Sequence, residues 1–328
     1  MPVQQKMGGV LNNRYRIDQI IGQGGYGCIY LAEDLRLAGR KCAVKEVQHD
    51  PTLSAELFKE TRDQFLREAT VLARLDHPNL PKVSDYFSIK DADYLVMDYV
   101  PGEDLRTLML KACHNNKFLP ESEVIGWANQ LADALIYMHN QEPPVLHRDI
   151  KPSNLKLTPN GIIKLVDFGL VKLLAPGEVT ITILQGQGTA IYTPLEQYGG
   201  DSGHTDVRSD IYAFGATLYH LLTNQAPVNV RDRFLSPESF VPPREINSSI
   251  SPRTDRAIQW AMAMHPDERP KDVYTFMKAL GDEIGAFNQT VGKKKGTGGR
   301  IQKPEKTLLT IAGVLSVLGF ILTLINNI

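Results

Sequence analysis

Three side chains with fixed spacing are the candidates for chemistry in this sequence. Asp149 follows His147-Arg148, Asn154 comes five residues later, and Asp167 opens the tripeptide Asp167-Phe168-Gly169. A carboxylate such as Asp149 can orient a hydroxyl nucleophile and accept its proton. The side-chain oxygens of Asn154 and Asp167 are hard ligands of the kind that Mg²⁺ prefers. In this order and spacing, the three residues predict a metal-assisted transfer reaction at a hydroxyl group.

A glycine-rich stretch lies upstream of these residues, between two strand-like runs. Gly22, Gly24 and Gly27 have the spacing G-x-G-x-x-G. Because glycine has no Cβ atom, such a turn can bring its backbone N–H groups close to phosphate oxygens. The same spacing occurs in dinucleotide-binding folds, where a helix directly follows the last glycine. Here Ile29-Tyr30-Leu31-Ala32 continues as a strand, which favours a hairpin that covers phosphates.

A lysine in the next strand-like run is the candidate cation for those phosphates. Lys45 ends the run Ala43-Val44-Lys45, eighteen residues after the last of the three glycines. Glu68 is its predicted acidic partner. The apolar residues at 65, 69, 72 and 75 recur with helical spacing, and Glu68 lies beside the face that they form. The alternative for Glu68 is an exposed carboxylate that pairs with a neighbouring arginine.

These motifs together resemble a known family. The run from 146 to 154, the glycine-rich stretch, Lys45 and the Asp-Phe-Gly tripeptide occur in the order of a eukaryotic-type (Hanks-type) serine/threonine protein kinase of bacterial kind. The resemblance implies an N-terminal tail (1–13) followed by an α+β, bilobal protein kinase fold over 14–284, with a β-rich N-lobe (14–97) and an α-rich C-lobe (101–284). It implies ATP and Mg²⁺ as cofactors, with Mn²⁺ as an alternative metal.

The resemblance also assigns roles to individual residues. Asp149 would orient the acceptor hydroxyl, and Lys45 and Lys151 would stabilise phosphate charge. Glu68 would hold Lys45, and Thr189 would bridge Lys151 and Asp149. Asn154 and Asp167 would be the metal ligands. The residues implied at the ATP site are Ile21, Gly22, Gln23, Gly24, Gly25, Tyr26, Gly27, Ile29, Ala43, Lys45, Met97, Asp98, Val100, Asp104 and Asn154.

The hinge between the implied lobes follows the strand-like run that ends at Tyr99. In the family's register Met97 is the gatekeeper, and the backbone of Asp98 and Val100 would bind adenine. Asp104 has two interpretations that the sequence leaves open. It is either a ligand of the ribose or an acid at the N-terminus of a helix.

Three further residues are implied to be structural. Asp210, in the run 209–215, resembles the buried acid that anchors the catalytic-loop backbone in the family. Arg269 would pair with Glu196 at the end of the activation segment. The family usually shows Ala-Pro-Glu there, whereas this chain has Thr193-Pro194-Leu195-Glu196, so the sequence departs from the family pattern in the substrate-docking segment.

The acceptor is predicted to be serine or threonine. Lys151, two residues after Asp149, and Thr189, after Gly188, form the pattern typical of kinases with that specificity. Arg148 can pair with a phosphate on the activation segment, which indicates activation by phosphorylation. Thr180 and Thr182 are the candidate phosphosites, with ordinary β-prone loop residues as the alternative.

The end of the chain predicts a membrane anchor. Residues 308–325 are eighteen residues without a charge and span about 27 Å as a helix, close to the thickness of a bilayer core. The linker 285–307 is basic and rich in glycine and lysine, which predicts a cytoplasmic kinase domain in a single-pass, tail-anchored protein. Ala312 and Ser316 form one pair of small residues that is compatible with a homodimer.

Composition excludes several other classes of protein. The formal net charge is −1, and no basic patch with interleaved aromatic residues occurs, which argues against a nucleic-acid partner. The three cysteines form no C-x-x-C pair, which indicates reduced thiols rather than a zinc site or a disulfide scaffold. The expected partners are therefore ATP, cytosolic proteins with serine or threonine acceptors, and the membrane.

Two alternative functions are a pseudokinase scaffold and a small-molecule kinase. An ATP-binding pseudokinase scaffold at the membrane would lack one of the five key residues, and none is missing: Lys45, Glu68, Asp149, Asn154 and Asp167. A small-molecule kinase of related fold would lack the segment from Gly188 to Glu196 and the run around Asp210. The sequence contains both and favours the protein kinase.

Overall fold

The described chain forms two lobes, one built on a sheet and one built on helices. The computed structural model describes residues 7–24, 27–49, 52–167, 190–198 and 205–281. An antiparallel sheet and one long helix make the N-terminal lobe, and helices dominate the C-terminal lobe. This confirms the predicted α+β, bilobal architecture.

The sheet of the N-terminal lobe has six antiparallel strands in the order β1-β2-β3-β4-β6-β5. Alternate residues of β3 are buried, because successive side chains of a strand point to opposite faces. The first strand lies within 1–13, the segment predicted as a tail. The strands are β1 (Val10–Leu11), β2 (Tyr15–Gly24), β3 (Gly27–Asp34), β4 (Lys41–Gln48), β5 (Val83–Ile89) and β6 (Ala92–Asp98).

Helix α1 (Ala55–Arg74) connects β4 to β5 and packs on the sheet. The side chain of Ser54 accepts a hydrogen bond from the N–H of Leu57 at 3.2 Å and so caps the first turn. Phe65, Ala69 and Leu72 are buried along one face, which confirms the helical period read from the sequence. The helix therefore carries Glu68 on an element whose rotation is set by its apolar face.

The C-terminal lobe is organised around one helix that is buried on all sides. From Ser209 to Thr223 every residue of α4 is buried, so α4 is the centre of this lobe. An apolar stripe of α3 is also buried, from Val124 to Met138. The helices are α2 (Leu105–His114), α3 (Glu121–His139), α4 (Val207–Thr223), α5 (Val230–Leu235), α6 (Pro243–Ile246), α7 (Pro252–Ala261) and α8 (Val273–Leu280).

A small sheet joins the hinge to the site. Its strands are β7 (Glu103–Asp104), β8 (Leu155–Leu157) and β9 (Ile163–Leu165), and all pairs are antiparallel. Gly161 has a φ of +76° in the turn that joins β8 to β9, a conformation that glycine adopts readily. Because β8 and β9 run in opposite directions, Asn154, just before β8, and Asp167, shortly after β9, lie at the same end of the hairpin.

Within the described ranges, no helix is long and apolar enough to cross a membrane. The linker 285–307 and the apolar segment 308–325 lie outside the described residues. The membrane anchor therefore stays a prediction.

Candidate active site

The backbone of the catalytic loop is held by a buried carboxylate on α4. Asp210 is fully buried, and its two oxygens accept hydrogen bonds from the N–H groups of His147 (2.9 Å) and Arg148 (2.8 Å). His139 on α3 contacts the same carboxylate at 2.9 Å. Burial raises the pKa of Asp210, but the bonds from His139 and from the loop outweigh it and leave the pKa below its ordinary value. The loop thus rests on a charged group inside the helical core.

Arg148 has an unusual backbone conformation. Its φ is +63°, in the left-handed region that non-glycine residues seldom adopt. The bonds from the N–H groups of His147 and Arg148 to Asp210 hold the conformation in place. The guanidinium of Arg148 donates to the hydroxyl of Thr205, and burial lowers the pKa of Arg148 to about 10.

Asp149, Lys151 and Asn154 form one hydrogen-bonded cluster. Oδ2 of Asp149 accepts from Nζ of Lys151 at 2.8 Å and from Nδ2 of Asn154 at 2.9 Å. The same Nδ2 donates to the carbonyl of Asp149 at 2.8 Å. Oδ1 of Asp149 is buried and accepts no hydrogen bond within the described part of the chain. One carboxylate oxygen is therefore held in place, and the other is an orphaned acceptor suited to a hydroxyl donor.

Asp167 meets Lys45 across the cleft. Nζ of Lys45, on β4, lies 2.5 Å from Oδ1 of Asp167. Burial raises the pKa of Asp167, but the ammonium of Lys45, with smaller effects of Lys151 and His147, brings the pKa below its ordinary value. Asp167 follows β9 and has a φ of +55°. Lys45 and Asp167 therefore form a charged pair between the two lobes.

Asn154 and Asp167 are brought to one place by the hairpin. The N–H of Val166 donates to the carbonyl of Asn154 at 2.8 Å, so the residue before Asp167 is bonded directly to Asn154. One amide oxygen and one carboxylate are hard ligands that suit Mg²⁺. Within the described residues, no group of three or more His, Cys, Asp or Glu could hold a metal ion alone. Mg²⁺ at this place fits only if phosphate oxygens or waters complete its shell, as is usual for this ion.

Glu68 is buried on α1, next to the apolar residues beside which the sequence placed it. Its Oε1 accepts from Nε2 of Gln64 at 3.1 Å. The side chain is only 5% exposed, which disagrees with the alternative of a solvated helix carboxylate. The predicted pairing of Glu68 with Lys45 stays a prediction.

The glycine-rich hairpin is packed tightly at its second strand. A Cβ atom on Gly27 would lie 1.9 Å from the carbonyl oxygen of Glu46, so only glycine fits there without a shift of backbone. Gly22 pairs with Ile29 across β2 and β3. Gly25 and Tyr26, predicted at the tip, lie outside the described residues.

The predicted adenine-binding residues lie side by side at the hinge. Met97 on β6 pairs with Ala43 on β4, and both are buried. Val100 is also buried. Asp98 follows Met97 at the end of β6, and its N–H donates to the carbonyl of Lys82 at 2.9 Å.

Asp104 is a helix cap in this structure. Its carboxylate accepts from the N–H of Thr107 at 2.9 Å and from the hydroxyl of Thr107 at 3.0 Å. This geometry matches the second of the two interpretations, an acid at the N-terminus of α2. Binding of ribose by Asp104 stays a prediction.

The end of the activation segment is joined to the base of the C-terminal lobe. Both oxygens of Glu196 accept from the guanidinium of Arg269, at 2.6 and 3.1 Å. Arg269 is buried and also donates to the carbonyls of Ala263 and Met264. Leu195, which separates Pro194 from Glu196 where the family usually has Pro directly before Glu, therefore does not prevent this bidentate pair.

Several site residues were not singled out from the sequence. His139 supports Asp210, Thr205 accepts from Arg148, and Asn79 donates to the carbonyl of Ile163 at 2.7 Å. The partners of these residues are far away in sequence, so no local pattern could have indicated them. Thr189, Thr180 and Thr182 lie outside the described residues, and their predicted roles stay predictions.

Comparison with known protein families matches residues 15–280 to the protein kinase domain. A relative from Clostridium acetobutylicum, described as a probable serine/threonine-protein kinase, is 34% identical over 282 residues, which cover 84% of this chain and 40% of the relative. The serine/threonine-protein kinase PknB of Mycobacterium leprae is 31% identical over 269 residues, 79% of this chain and 41% of PknB. The chain thus spans about two fifths of the length of these relatives.

A solved structure shows the same architecture. The PknI kinase domain of Mycobacterium tuberculosis superposes with a TM-score of 0.65 at 27% identity, and the match covers 84% of this chain and 98% of that domain. The likeness is therefore to a whole domain, and it includes both lobes described above.

Proposed function

Because the chain belongs to the protein kinase family, we propose that it is a Mg²⁺- and ATP-dependent protein serine/threonine kinase. It transfers the γ-phosphoryl group of ATP to serine or threonine hydroxyls of cytosolic proteins, its own activation segment included. The observation that carries this proposal is the cluster of Asp149, Lys151 and Asn154 next to the pair of Lys45 and Asp167. The relatives support the serine/threonine class of the domain.

The geometry supports transfer by positioning and electrostatics. Oδ2 of Asp149 is held by two donors, so Oδ1 can accept the hydrogen of an incoming hydroxyl and orient its oxygen. The ammonium of Lys151 lies 2.8 Å from this carboxylate and places positive charge where phosphate charge has to be stabilised. Both groups act from a loop whose backbone is fixed by Asp210, which limits their reorganisation during the reaction.

Asn154 and Asp167 would hold the metal, and Lys45 would contact the nucleotide phosphates. Mg²⁺, when bound, supplies positive charge against the phosphate oxygens. The ion pair of Lys45 with Asp167 then places one ligand of the metal and one phosphate-binding cation within 2.5 Å of each other. Mn²⁺ has the same preference for hard oxygen ligands and is an alternative metal.

Regulation by phosphorylation belongs to the same proposal. Arg148 is half-buried and its guanidinium donates to Thr205, so its charge lies at the edge of the activation segment. Phosphate on Thr180 or Thr182 would supply a negative partner for Arg148. Thr189 would bridge Lys151 and Asp149 when the acceptor is bound.

The proposal is tested by transfer of γ-³²P from labelled ATP to the protein itself and to a generic basic protein. We expect label on serine or threonine with wild type and a loss of about 10³-fold or more with Asp149→Asn, since a positioned base contributes about 10² to 10⁴ in rate. Asp63→Asn, an exposed acid on α1, is the matched control and should keep wild-type activity.

The alternative is an ATP-binding scaffold without transferase activity. Nucleotide binding with no transfer by the full chain, with either Mg²⁺ or Mn²⁺, would contradict the kinase and favour the scaffold. Label on tyrosine would contradict the predicted specificity and leave the transferase in place.

Membrane attachment through 308–325 is a separate part of the proposal. The length and lack of charge of that segment support a single-pass anchor, and the basic linker 285–307 supports a cytoplasmic kinase domain. The full chain should sediment with membranes and resist extraction by carbonate, whereas a chain ending at residue 284 should stay in the supernatant. A homodimer through the small residues of this segment would appear as crosslinking that depends on Ala312 and Ser316.

A further inference from the structure

A buried carboxylate in the N-terminal lobe collects donors from several elements. Asp93, on β6, is fully buried. Its Oδ2 lies 2.6 Å from Nε2 of His49, and its Oδ1 accepts from the hydroxyls of Ser88 (2.5 Å) and Tyr86 (3.1 Å). Nη2 of Arg62, on α1, lies 3.5 Å from the same Oδ1. We call Asp93, His49 and Arg62 the rim cluster.

The rim cluster joins α1 to the sheet. His49 follows the end of β4, and its ring makes an edge contact with Phe58 of α1 at 5.5 Å. The guanidinium of Arg62 lies over the ring of Phe58 at 5.8 Å. Phe65 packs on Tyr86 of β5 at 5.8 Å. Helix α1 therefore contacts β5, β6 and the residue that follows β4 through Phe58, Arg62 and Phe65.

Arg62 adds a cation to a cluster whose negative charge is held first by hydrogen bonds. Burial raises the pKa of Asp93, but hydrogen bonds from His49 and Ser88 outweigh it and leave the pKa below its ordinary value. Asp93 is thus an anion inside the lobe, and a buried anion is costly without a cationic partner. Arg62 is a permanent cation, and it is the one member of the rim cluster that α1 itself contributes.

We propose that Arg62, paired with Asp93 at the rim and stacked on Phe58, is a positioning residue that sets the placement of α1 and thereby of Glu68 in the active site. Glu68 lies six residues beyond Arg62, about 9 Å along the helix axis. The ion pair at Arg62 fixes the rotation and tilt of α1 on the sheet. A helix released there displaces Glu68 relative to Lys45 and reduces transfer. This inference rests on the proposed kinase activity.

The test compares Arg62→Ala with Arg67→Ala in the full chain. Arg67 is an exposed arginine of the same helix, and the structure places no partner for it within the described residues. We expect kcat of Arg62→Ala to fall about 5- to 20-fold while Arg67→Ala stays within twofold of wild type. The melting temperature of Arg62→Ala should change little, because the hydrogen bonds of His49, Ser88 and Tyr86 to Asp93 remain. Arg62→Lys should restore a part of the rate.

A double-mutant cycle with Glu68→Gln separates positioning from general damage. If Arg62 acts through Glu68, Arg62→Ala causes no further loss in the Glu68→Gln protein. Losses that multiply would overturn the inference, and so would an activity of Arg62→Ala within twofold of wild type.

Hydrogen exchange of α1 provides a readout that does not depend on catalysis. The backbone amides of α1 should exchange faster in Arg62→Ala than in Arg67→Ala or wild type. Unchanged exchange would overturn the positioning role. If wild type shows no transfer at all, the kinase proposal fails, and the exchange experiment still decides whether the rim cluster holds α1.

Discussion

The catalytic loop and helix α1 both present charged groups to the site, but they are anchored differently. The loop is bonded through its backbone to Asp210, a fully buried acid on a helix that is itself buried on all sides. Helix α1 packs an apolar face on the sheet, and its charged link is the partly exposed Arg62. The residues proposed to act on the hydroxyl are therefore fixed by the core, whereas the acid predicted for Lys45 lies on a helix whose charged link is partly exposed.

Removal of Asp210, the buried acid that holds the catalytic loop, should have the largest effect on stability and transfer. Asp210→Ala removes the acceptor for His147, Arg148 and His139, and leaves their donors buried. We expect a loss of about 4 kcal/mol in the free energy of unfolding and a fall of about 100-fold or more in transfer. Thermal unfolding and phosphotransfer of the full chain measure both, with Asp133→Ala, an exposed acid on α3, as control. A stable, active Asp210→Ala protein would contradict the conclusion that Asp210 fixes the catalytic loop.

The second largest effect is expected where the activation segment meets the helical lobe. Glu196→Gln leaves the guanidinium of Arg269 buried without its negative partner. The free energy of unfolding should fall by about 3 kcal/mol, since breaking a buried ion pair typically costs about 3 to 5 kcal/mol. Chemical denaturation measures it, and Glu238→Gln on the surface is the control. An equal loss in both variants would contradict a special role of the pair.

Acid should weaken the helical lobe through its buried histidines. Burial lowers the pKa of His220 to about 4, and Tyr192 contacts its Nδ1 at 2.6 Å. The unfolded chain binds a proton near pH 6.5 and the folded protein does not, so stability is lost as the pH falls from about 6.5 to about 4. The loss from this one group reaches at most roughly 3 kcal/mol.

His220→Gln should flatten that dependence. Denaturation at a series of pH values measures the slope for both proteins, and burial of His147, whose pKa is also lowered, leaves a remaining slope in the variant. The carboxyls of Asp210 and Asp167 have lowered pKa values and therefore contribute only below about pH 4. A slope that is identical in both proteins would exclude His220 as its origin.

The smallest effect on stability is expected in the N-terminal lobe. Gly27→Ala places a Cβ atom against the carbonyl of Glu46 and should shift the hairpin over the nucleotide. We expect KM for ATP to rise about tenfold, with a loss of about 1 kcal/mol in stability. Gly126→Ala on α3, where a Cβ atom meets open space, is the control. A change in kcat alone would argue against a role in nucleotide binding.

Much of the architecture could be predicted from the sequence. Strand β5, the β8–β9 hairpin and the buried stripe of α3 follow from short-range periodicity and from turn residues, which depend on neighbours along the chain. The predicted protein kinase domain of the serine/threonine class is confirmed by the family match over 15–280 and by the relatives. The strand within 1–13 was missed, because two residues are too short to show a period.

The sequence by itself determined the set of candidate site residues and their order along the chain. It could do so because each motif depends on the conformation of a short stretch of backbone. Tertiary structure alone decided the partners. It placed Lys45 against Asp167, His139 against Asp210, and Asp93 beneath α1. A carboxylate bonds the nearest donor in three dimensions, and residues that are distant in sequence become neighbours only when the chain folds.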